Sequence, residues 1–526
     1  MKLEKLISAL HQDGMENPVR LERVPDPCVE IGAIRCNGGL VRPGELFVAM
    51  RGEKADGHDF IPQAIERGAA AIVAQKPVVV PENVALIVAE DSRRALAALA
   101  ASFFGQPWRS LKIVGITGTN AKTTVSYLVE SVLTHAGFST GVIGTVNIRF
   151  CGRVFPSAMT TPESLDITAI LDEMRREGVT HVVMEVSSHA LAQGRVRFVE
   201  FDAGVFTNLS QDHLDYHENL QDYFACKRKL FLEQPPNRTK GPMAAVINRD
   251  DSFGGQLCSQ VRAEPCEPVI CTGFSVGCQV RGEGVVAGVT GVSGTVCTPG
   301  GDFFVRSPLV GRHNFENILS AAGACLALGI GPETIREGLA ALCAVPGRLE
   351  RVESASDRHV FVDYCHTPQA VEKVLEALKA ISPGRIIAVL GCGGDRDRTK
   401  RPLMGEAAAK VCDLLVITSD NPRTEKPDAI IAEILPGVVR HLRPFGGEGS
   451  RGYLVEPDRA AAISLAVKAC QPGDTLLIAG KGHEDYQIIG STRRHFDDRE
   501  EARRALAQVE ESETAQQETR SAPCGV

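Results

Sequence analysis

The sequence predicts an α/β protein of three domains, and three observations support this. A chain of 526 residues is longer than one hydrophobic core usually supports. Short β-branched runs alternate with amphipathic stretches, as in parallel sheets covered by helices. One glycine-rich turn, within residues 112–124, joins such a run to a helix. We expect a small N-terminal α/β domain (1–109), a central domain opening on that turn (110–345), a third α/β domain (346–500) and a disordered polar tail (501–526).

Composition narrows the possible functions. The net charge is −8, which gives no sign of a nucleic-acid partner. The sequence has no apolar run long enough for a membrane span, and its start lacks the apolar core of a signal peptide. The 16 cysteines are scattered without Cys-x-x-Cys pairs, which favours free thiols in a reducing compartment. We therefore expect a soluble cytoplasmic protein.

The first domain is predicted from three segments. LFVAM reads as a strand after the turn at Pro43-Gly44. A helix is predicted through PQAIERGAAAIVA, and an Ala-rich helix through SRRALAALAASFF. The domain is expected to end near Arg109.

The central domain opens on KIVGITGTNAKTT. We predict a buried strand over 112–117 and a helix over 122–135. A strand that turns through glycines into a helix directs backbone N–H groups and the helix dipole at one point, which suits phosphate. Lys122 would add a positive charge, and Thr123 a hydroxyl for a metal ion. The glycine spacing departs from the standard phosphate loop at Ala121, so an ordinary strand-to-helix turn remains the alternative.

Further strands are predicted in both later domains. In the central domain they are GVIGT, THVVMEV, DAGVFTNL and AAVIN, with a helix at LDITAILDEMRREG, β-structure over 266–305 and a helix at HNFENILSAAGACLALGI. In the third domain they are HVFVDY, RIIAVLG, DLLVITS and DTLLIAG. Ligands of parallel sheets bind at the carboxyl ends of strands, where these runs are followed by polar residues.

Glu185 and His213, which follow two of these strands, are candidate metal ligands. Mg²⁺ prefers oxygen ligands, so Thr123 with one carboxylate would suit it. For His213, a hydrogen bond to a neighbouring carboxylate is as plausible as a metal bond. Lys227 reads from its surroundings as an exposed cation with no special role.

The GGDRDRTKR and DNPR loops suit a different ligand. Arg396, Asn421 and Arg423 could hold the carboxylate of an amino acid, because guanidinium groups bind carboxylates through two hydrogen bonds. Glu484 could accept an ammonium group. The alternative is a set of salt bridges between domains.

The sequence closely resembles the Mur ligases from about residue 46 to 498. The motifs that carry the resemblance are TGTNAKTT, TTPES, EVSSHALAQGRV, TNLSQDHLDYH, GRHNFEN, PGRLERV, DYCHTP, GCGGDRD, DNPRTEKP and GKGHEDYQ. The resemblance implies an N-terminal domain for a uridine diphosphate group, a central P-loop parallel-sheet ATPase domain and a C-terminal Rossmann-like domain for the incoming amino acid. It further implies an ATP- and Mg²⁺-dependent amide ligase of peptidoglycan synthesis that works through an acyl phosphate.

The resemblance also implies roles for individual residues. Those expected at ATP are Gly118, Thr119, Asn120, Ala121, Lys122, Thr123, Thr124, His313, Asn314, Asn317, Arg348 and Asp363. Those expected at the UDP-muramoyl peptide are Thr160, Thr161, Ser187, Gln193 and Arg195, and those at diaminopimelate are Arg396, Asp420, Asn421, Arg423, Gly480 and Glu484. Lys122, Glu185, His213 and Lys227 form the expected catalytic set, with Thr123 and Glu185 on one metal ion and His213 and a carbamylated Lys227 on a second.

Three departures from the family pattern qualify this expectation. Ala121 replaces the usual glycine before the loop lysine, Asn37-Gly38-Gly39 replaces the usual Asp-Ser-Arg, and Gln369 replaces an acidic residue. We predict an active enzyme with weaker nucleotide binding than typical members. The arginine of DNPR favours diaminopimelate over lysine, and EVSSHALAQGR argues against a folylpolyglutamate synthase. A lysine-adding ligase and a non-catalytic nucleotide-binding relative stay open as alternatives.

Overall fold

The computed structural model describes residues 1–11, 19–52, 55–213, 216–235, 237–261, 266–447 and 450–521, with side chains up to residue 515. The chain forms two compact units. Unit 1 comprises Met1–Arg281, Val296–Phe303 and Asn317–Leu339, and unit 2 comprises Gly282–Thr295, Phe304–Glu316 and Ala340–Val526. No helix in the described ranges is long and apolar enough to cross a membrane.

The first part of unit 1 is a five-stranded sheet in the order β1-β5-β4-β3-β2, parallel except for β1. Its elements are α1 (Leu3–His11), β1 (Val19–Arg23), β2 (Ile34–Arg35), β3 (Leu46–Val48), α2 (Ile61–Glu66), β4 (Ala71–Ala74), β5 (Ala85–Ala89) and α3 (Ser92–Phe103). The predicted helix over 62–74 is wrong in its second half. Gly68, at φ 89°, follows the end of α2, and AIVA forms the buried strand β4.

The central part of unit 1 is a larger sheet with the order β13-β12-β11-β6-β10-β7-β8-β9, parallel from β13 to β7. Its strands are β6 (Lys112–Thr117), β7 (Thr140–Ile143), β8 (Asn147–Phe150), β9 (Arg153–Pro156), β10 (His181–Glu185), β11 (Ala203–Phe206), β12 (Met243–Asn248) and β13 (Cys266–Gly273). Its helices are α4 (Lys122–His135), α5 (Ser164–Arg176), α6 (Ser188–Ala192), α7 (Leu220–Lys227), α8 (Lys229–Leu232) and α9 (Ser252–Val261). The chain passes from β10 on one side of β6 to β11 on the other, so a ligand crevice is expected where β6 ends.

Between 280 and 341 the chain forms the predicted β-structure and then helices. These elements are β14 (Val280–Gly288), β15 (Gly291–Cys297), β16 (Phe303–Ser307), α10 (Arg312–Ala327) and α11 (Pro332–Ala341). The strands predicted over 266–305 and the helix predicted after His313 are confirmed.

Unit 2 contains a six-stranded sheet with the order β17-β18-β22-β19-β20-β21, parallel except for β17. The six strands of this sheet are β17 (Glu350–Val352), β18 (His359–Asp363), β19 (Ile386–Cys392), β20 (Leu414–Ser419), β21 (Gly452–Val455) and β22 (Thr475–Ala479). A separate hairpin is formed by β23 (Tyr486–Ile489) and β24 (Thr492–His495). The helices of unit 2 are α12 (Pro368–Lys379), α13 (Lys400–Val411), α14 (Pro427–Val438), α15 (Arg459–Ala469) and α16 (Asp498–Ser521). Apolar cores lie on both faces of this sheet. The α/β fold class is confirmed.

The predicted disordered tail is wrong for residues 501–521, which belong to α16. Ala502, Ala505 and Leu506 are buried at helical spacing against the sheet core. Further along the helix, Glu513 accepts a 3.1 Å hydrogen bond from Arg358 Nη1. The C-terminal segment is thus polar in composition but still forms a helix, which packs on the sheet through one short apolar stripe. Residues 522–526 lie outside the described ranges.

Candidate active site

The predicted phosphate loop forms between β6 and α4, with the strand and helix limits that the sequence predicts. Gly118 has a φ of 150°, and a Cβ there would lie 1.9 Å from the Thr207 hydroxyl, so only glycine fits. The loop is braced by the segment after β11. Thr119 N donates to Asn208 O at 2.9 Å, and Asn120 N donates to Asn208 Oδ1 at 3.0 Å. Hydrogen bonds between the segments that follow β6 and β11 thus fix the conformation of the turn.

Ala121 immediately precedes α4 and adopts a left-handed conformation, with φ 72° and ψ −10°. Such a conformation is unfavourable for a residue with a Cβ. The next residue, Lys122, curls over the loop and donates to the carbonyls of Gly118 and Thr119, both at 2.9 Å. The departure from the glycine pattern therefore lies at a strained backbone position beside the key lysine.

Glu185, at the end of β10, lies next to the start of α4. Its carboxylate is 1% exposed and accepts from Thr123 Oγ1 at 3.1 Å, from Thr145 Oγ1 at 2.7 Å and from Thr145 N at 3.1 Å. The structure thus brings together the predicted pair of Thr123 and Glu185. Sequence reasoning missed Thr145, although it follows β7 in the same way as Glu185 ends β10.

Lys227, at the end of α7, is 1% exposed, so its interpretation as a surface cation is wrong. Its ammonium donates to Gly118 O at 2.8 Å and lies 4.5 Å from the ring centroid of Tyr223. Burial, together with the charge of Lys122, lowers the pKa of Lys227 well below its usual range. The lysine is therefore part of the phosphate-loop surroundings, where burial disfavours its charged form.

His213 is exposed and has a φ of 53°. Its Nε2 lies 3.6 Å from Asp212 Oδ2, and its ring lies 4.9 Å from that of His189 and 6.1 Å from that of Tyr223. In the part of the chain that the structure describes, no group of three or more His, Cys, Asp or Glu side chains is arranged to hold a metal ion.

The five residues expected at the UDP-muramoyl peptide are brought together around the ends of β10 and α6. Thr161 Oγ1 donates to Glu185 O at 2.8 Å and accepts from Ser187 N at 3.0 Å. Arg195 Nη1 donates to Thr161 O at 2.8 Å, and its Nη2 donates to Gln193 Oε1 at 2.7 Å. The hydroxyl of Thr160 lies 3.0 Å from that of Thr145, which links this group to Glu185.

The residues expected at the nucleotide from the later motifs fall in both units. Asn317 belongs to unit 1, whereas His313, Asn314, Arg348 and Asp363 belong to unit 2. The Asp363 carboxylate is largely buried and accepts from the backbone N–H groups of Leu349 at 2.7 Å and Cys365 at 2.8 Å. The Arg348 guanidinium lies 5.0 Å from the ring centroid of Tyr364.

The loops expected to bind the amino acid meet at the carboxyl edge of the unit 2 sheet. Asn421 Nδ2 donates to Glu484 Oε2 at 2.9 Å, and Arg423 Nη1 donates to Gly394 O at 2.7 Å. Gly480 approaches Asp420 so closely that a Cβ would lie 2.6 Å from Asp420 Oδ2. Of the predicted set, Arg396 is exposed.

Salt bridges brace these loops within unit 2, and sequence reasoning missed the residue at their centre. Arg401 is fully buried and donates to Glu425 at 2.7 and 2.9 Å and to Glu433 at 2.8 Å. Thr424 Oγ1 donates to Asp395 Oδ1 at 2.7 Å. The arginine that braces these loops, Arg401, thus differs from Arg396, the arginine of GGDRDRTKR predicted to bind a carboxylate.

Comparison with known proteins identifies the family. Three family models match, namely the Mur ligase family catalytic domain over 30–104, the Mur ligase middle domain over 116–325 and the Mur ligase glutamate ligase domain over 347–482. A UDP-N-acetylmuramoyl-L-alanyl-D-glutamate 2,6-diaminopimelate ligase of Geobacter metallireducens is 48% identical over 489 residues, which is 91% of this chain and 95% of the relative. The ligase of that name from Geobacillus thermodenitrificans is 44% identical, covering 96% of this chain and 99% of the relative.

A solved structure of a UDP-N-acetylmuramoyl-L-alanyl-D-glutamate 2,6-diaminopimelate ligase is also similar to this chain. It has a TM-score of 0.67 and 31% identity, covering 91% of this chain and 95% of that chain. The glycine-rich loop, the buried Glu185 and the braced loops of unit 2 thus occur in a chain that matches the relative from Geobacter metallireducens over 91% of its own length. The chain belongs to the Mur ligase family.

Proposed function

We propose that the protein is an ATP-dependent ligase that joins meso-diaminopimelate to UDP-N-acetylmuramoyl-L-alanyl-D-glutamate. The observation that carries this proposal is the near full-length similarity to ligases of that name, at 43 to 48% identity. The arginine of the DNPR loop, Arg423, supports diaminopimelate rather than lysine as the incoming amino acid. The protein is expected to work as a monomer in the cytoplasm on small molecules.

The proposed reaction has two steps. An oxygen of the D-Glu γ-carboxylate attacks the γ-phosphorus of ATP, and ADP leaves, which gives an acyl phosphate. The neutral amine of diaminopimelate then attacks the acyl carbon, loses a proton and displaces inorganic phosphate, so an amide bond forms. The acyl phosphate is needed because a carboxylate itself is a poor electrophile.

The phosphate loop would stabilise the charge that builds up during phosphoryl transfer. The N-terminus of α4, which begins at Lys122, would direct its backbone N–H groups and its dipole at the phosphates. Lys122 is placed to turn its ammonium from the loop carbonyls to the outer phosphates, where a positive charge favours transfer.

A magnesium ion fits the pair of Thr123 and Glu185. Both offer oxygen atoms, which lie 3.1 Å apart in a buried position beside the loop. The ion would supply positive charge at the phosphates when bound. His213 and a carbamylated Lys227 are proposed for a second ion.

The surroundings of Lys227 suit carbamylation. CO₂ reacts with an uncharged amine, and burial lowers the pKa of Lys227 and so favours that form. The product is a carboxylate on the nitrogen, with release of one proton. This would turn a buried amine near Lys122 into an anion that a metal ion could bind.

The remaining predicted residues would bind the other ligands. Thr160, Thr161, Ser187, Gln193 and Arg195 form one hydrogen-bonded group that we assign to the UDP-muramoyl peptide. His313, Asn314, Asn317, Arg348 and Asp363 are assigned to the nucleotide, together with the loop residues 118–124. Arg396, Asp420, Asn421, Arg423, Gly480 and Glu484 are assigned to diaminopimelate, whose carboxylates suit the arginines and whose ammonium groups suit the acidic residues.

The proposal is tested by measuring phosphate release with ATP and the UDP-muramoyl dipeptide, in the presence of either diaminopimelate or lysine. We expect release that depends on diaminopimelate, with mass spectrometry showing the corresponding tripeptide product. Preference for lysine would overturn the assignment of the amino acid. A complete lack of release with both amino acids would favour a non-catalytic nucleotide-binding relative.

A further inference from the structure

A second lysine, Lys481, is buried among the loops assigned to the amino acid. It follows β22 and is 0% exposed. Its ammonium donates to Asn421 Oδ1 at 3.2 Å and lies 3.6 Å from Glu484 Oε2. The ring centroid of Tyr486 lies 5.5 Å from the same nitrogen. Burying a lysine costs free energy unless its charge has such partners, so we expect these contacts to have a role in the protein.

Lys481 is one of two donors that determine which way the Asn421 side chain points. Asn421 Oδ1 accepts from Lys481 Nζ and, at 2.9 Å, from Ile488 N. With the amide in that orientation, Nδ2 donates to Glu484 Oε2 at 2.9 Å. If the amide were flipped, its NH₂ group would face two hydrogen-bond donors, and its oxygen would face the Glu484 carboxylate. The two donors therefore fix the amide, and the amide in turn fixes Glu484.

The strand ends beneath these loops are held by a different group. Arg459 Nη1 donates to Ser419 O at 3.1 Å, and its Nη2 donates to Ala479 O at 2.9 Å, so it joins the last residues of β20 and β22. The guanidinium also binds both carboxylate oxygens of Asp498 at 2.7 Å. Loss of the Lys481 ammonium would leave these strand ends in place, so its effect is expected on the side chains of the loops.

Glu484 lies among several charged and titratable groups. These are Asp420, Arg423, Lys481, Arg459, Tyr364 and Tyr486. Burial and Asp420 raise the pKa of Glu484, while Lys481, Asn421 and Arg423 act in the opposite direction. The Lys481 ammonium thus favours the carboxylate form of Glu484 against its surroundings.

We propose that Lys481 is a positioning residue for the incoming amino acid, holding the Asn421 amide and the Glu484 carboxylate in the orientation that receives an ammonium group of that ligand. This inference rests on the proposed function, since it assumes that Glu484 binds the amino acid. Lys481 itself acts through these two residues and is not assigned a contact with the substrate.

The test is steady-state ligation with the full chain and its Lys481→Met variant. Removing a charged hydrogen-bond donor from this network is expected to raise the KM for diaminopimelate by about 10- to 100-fold. The KM for ATP and kcat at saturating diaminopimelate should change by less than about twofold, because the phosphate loop is not part of this network.

The pH dependence of the KM for diaminopimelate distinguishes a positioning role from a purely structural one, which would leave this dependence unchanged. Glu484 binds an ammonium only as a carboxylate, so the KM for diaminopimelate should rise as the pH falls through the pKa of Glu484. Without the Lys481 charge that pKa rises further, and the acid rise in KM should begin at a higher pH in Lys481→Met. Lys481→Arg keeps the charge and should shift the profile back toward that of the wild type.

The control is Lys468→Met, the same change at an exposed lysine of α15, which should leave both constants unchanged. Lys481→Gln gives a second neutral variant and should reproduce the rise in KM. A folded variant with a wild-type KM across the pH range would overturn the inference, and so would loss of folding in both neutral variants, since Lys481 would then be structural. If the wild type itself does not ligate diaminopimelate, the proposed function fails instead.

Discussion

Replacing Ala121 with glycine tests the meaning of the departure in the phosphate loop. Ala121 has a φ of 72°, in the left-handed region, and immediately precedes Lys122 in α4. A left-handed residue with a Cβ costs about 1 to 2 kcal/mol, whereas glycine adopts that conformation freely but loses about 0.5 to 1 kcal/mol more chain entropy on folding. We therefore expect Ala121→Gly to stabilise the folded protein by about 1 kcal/mol.

The assay is thermal unfolding of the wild type and a set of variants at this one position. Asparagine tolerates left-handed backbone better than alanine, and valine tolerates it worse, so the expected order of stability is Gly, Asn, Ala, Val. A matched control lies at the other end of the same helix. Ala136 has a φ of −69°, and Ala136→Gly should lower the stability by a few tenths to about 1 kcal/mol.

The same variant separates backbone strain from crowding of the phosphates. The sequence predicts that the alanine methyl weakens ATP binding, whereas the strain is expected both with and without nucleotide. If the glycine only relieves backbone strain, the free and the ATP-bound enzyme gain the same stability. Ala121→Gly should then change the KM for ATP by less than about twofold. A glycine variant with no gain in stability and a KM for ATP that falls by more than about fivefold would refute this reasoning in favour of crowding.

Three further changes have defined outcomes. Lys227→Ala should abolish most activity, and added formate or acetate should partly restore it by replacing the carbamate, as measured by phosphate release. Gly38→Ala should lower the stability by about 1 to 3 kcal/mol in a denaturation curve, because a Cβ would lie 2.9 Å from Phe60 O. Arg401 holds the pKa of Glu425 at about 2, below its ordinary value of 4.5, so the stabilisation from this pair is present above pH 4.5 and is lost as the pH falls toward 2. Glu425→Gln should therefore flatten the acid dependence of the urea midpoint.

Each of these changes has a control or a contrary result. Lys229→Ala, two residues beyond Lys227 and partly exposed, should keep its activity, and an unchanged rate in Lys227→Ala would exclude a role for the carbamate. Gly39→Ala should be milder than Gly38→Ala, since the nearest atom to its Cβ would be Asn37 Oδ1 at 3.3 Å. Parallel acid curves for the wild type and Glu425→Gln would show that this ion pair contributes nothing.

Local patterns predicted the phosphate loop well because its determinants are close in sequence. The limits of β6 and α4 agree with the predicted 112–117 and 122–135, since the apolar run, the glycines and the helical spacing all lie within 24 residues. The structure also has Glu185 and the polar loops of unit 2 at the ends of parallel strands, as the sequence predicts. These positions follow from the geometry of a parallel sheet, and the apolar runs of the sequence show where its strands lie.

Long-range contacts explain what the sequence did not reveal. Lys227 looked exposed because its partner, Gly118 O, lies 109 residues away in the chain. Arg401 pairs with Glu425, 24 residues away, and Glu513 of the C-terminal helix pairs with Arg358, 155 residues before it. The residues predicted to bind the UDP-muramoyl peptide came from family resemblance alone, because Thr161 and Arg195 meet only in the folded chain. Tertiary burial, rather than local propensity, decided each of these positions.

Backbone strain provides a further link between the candidate site and the fold. Ala121, His213 and Arg423 belong to three separate predicted motifs, and all have positive φ, at 72°, 53° and 51°. Such conformations persist only where surrounding contacts hold them, and they tend to occur at functional positions. Arg423 shows how this works, because Ile488 O accepts from its N–H at 3.0 Å and Gly490 N donates to its carbonyl at 2.7 Å. The hairpin of β23 and β24 thus holds a strained residue whose side chain is proposed to select the amino acid, so hairpin mutations should alter selectivity as well as stability.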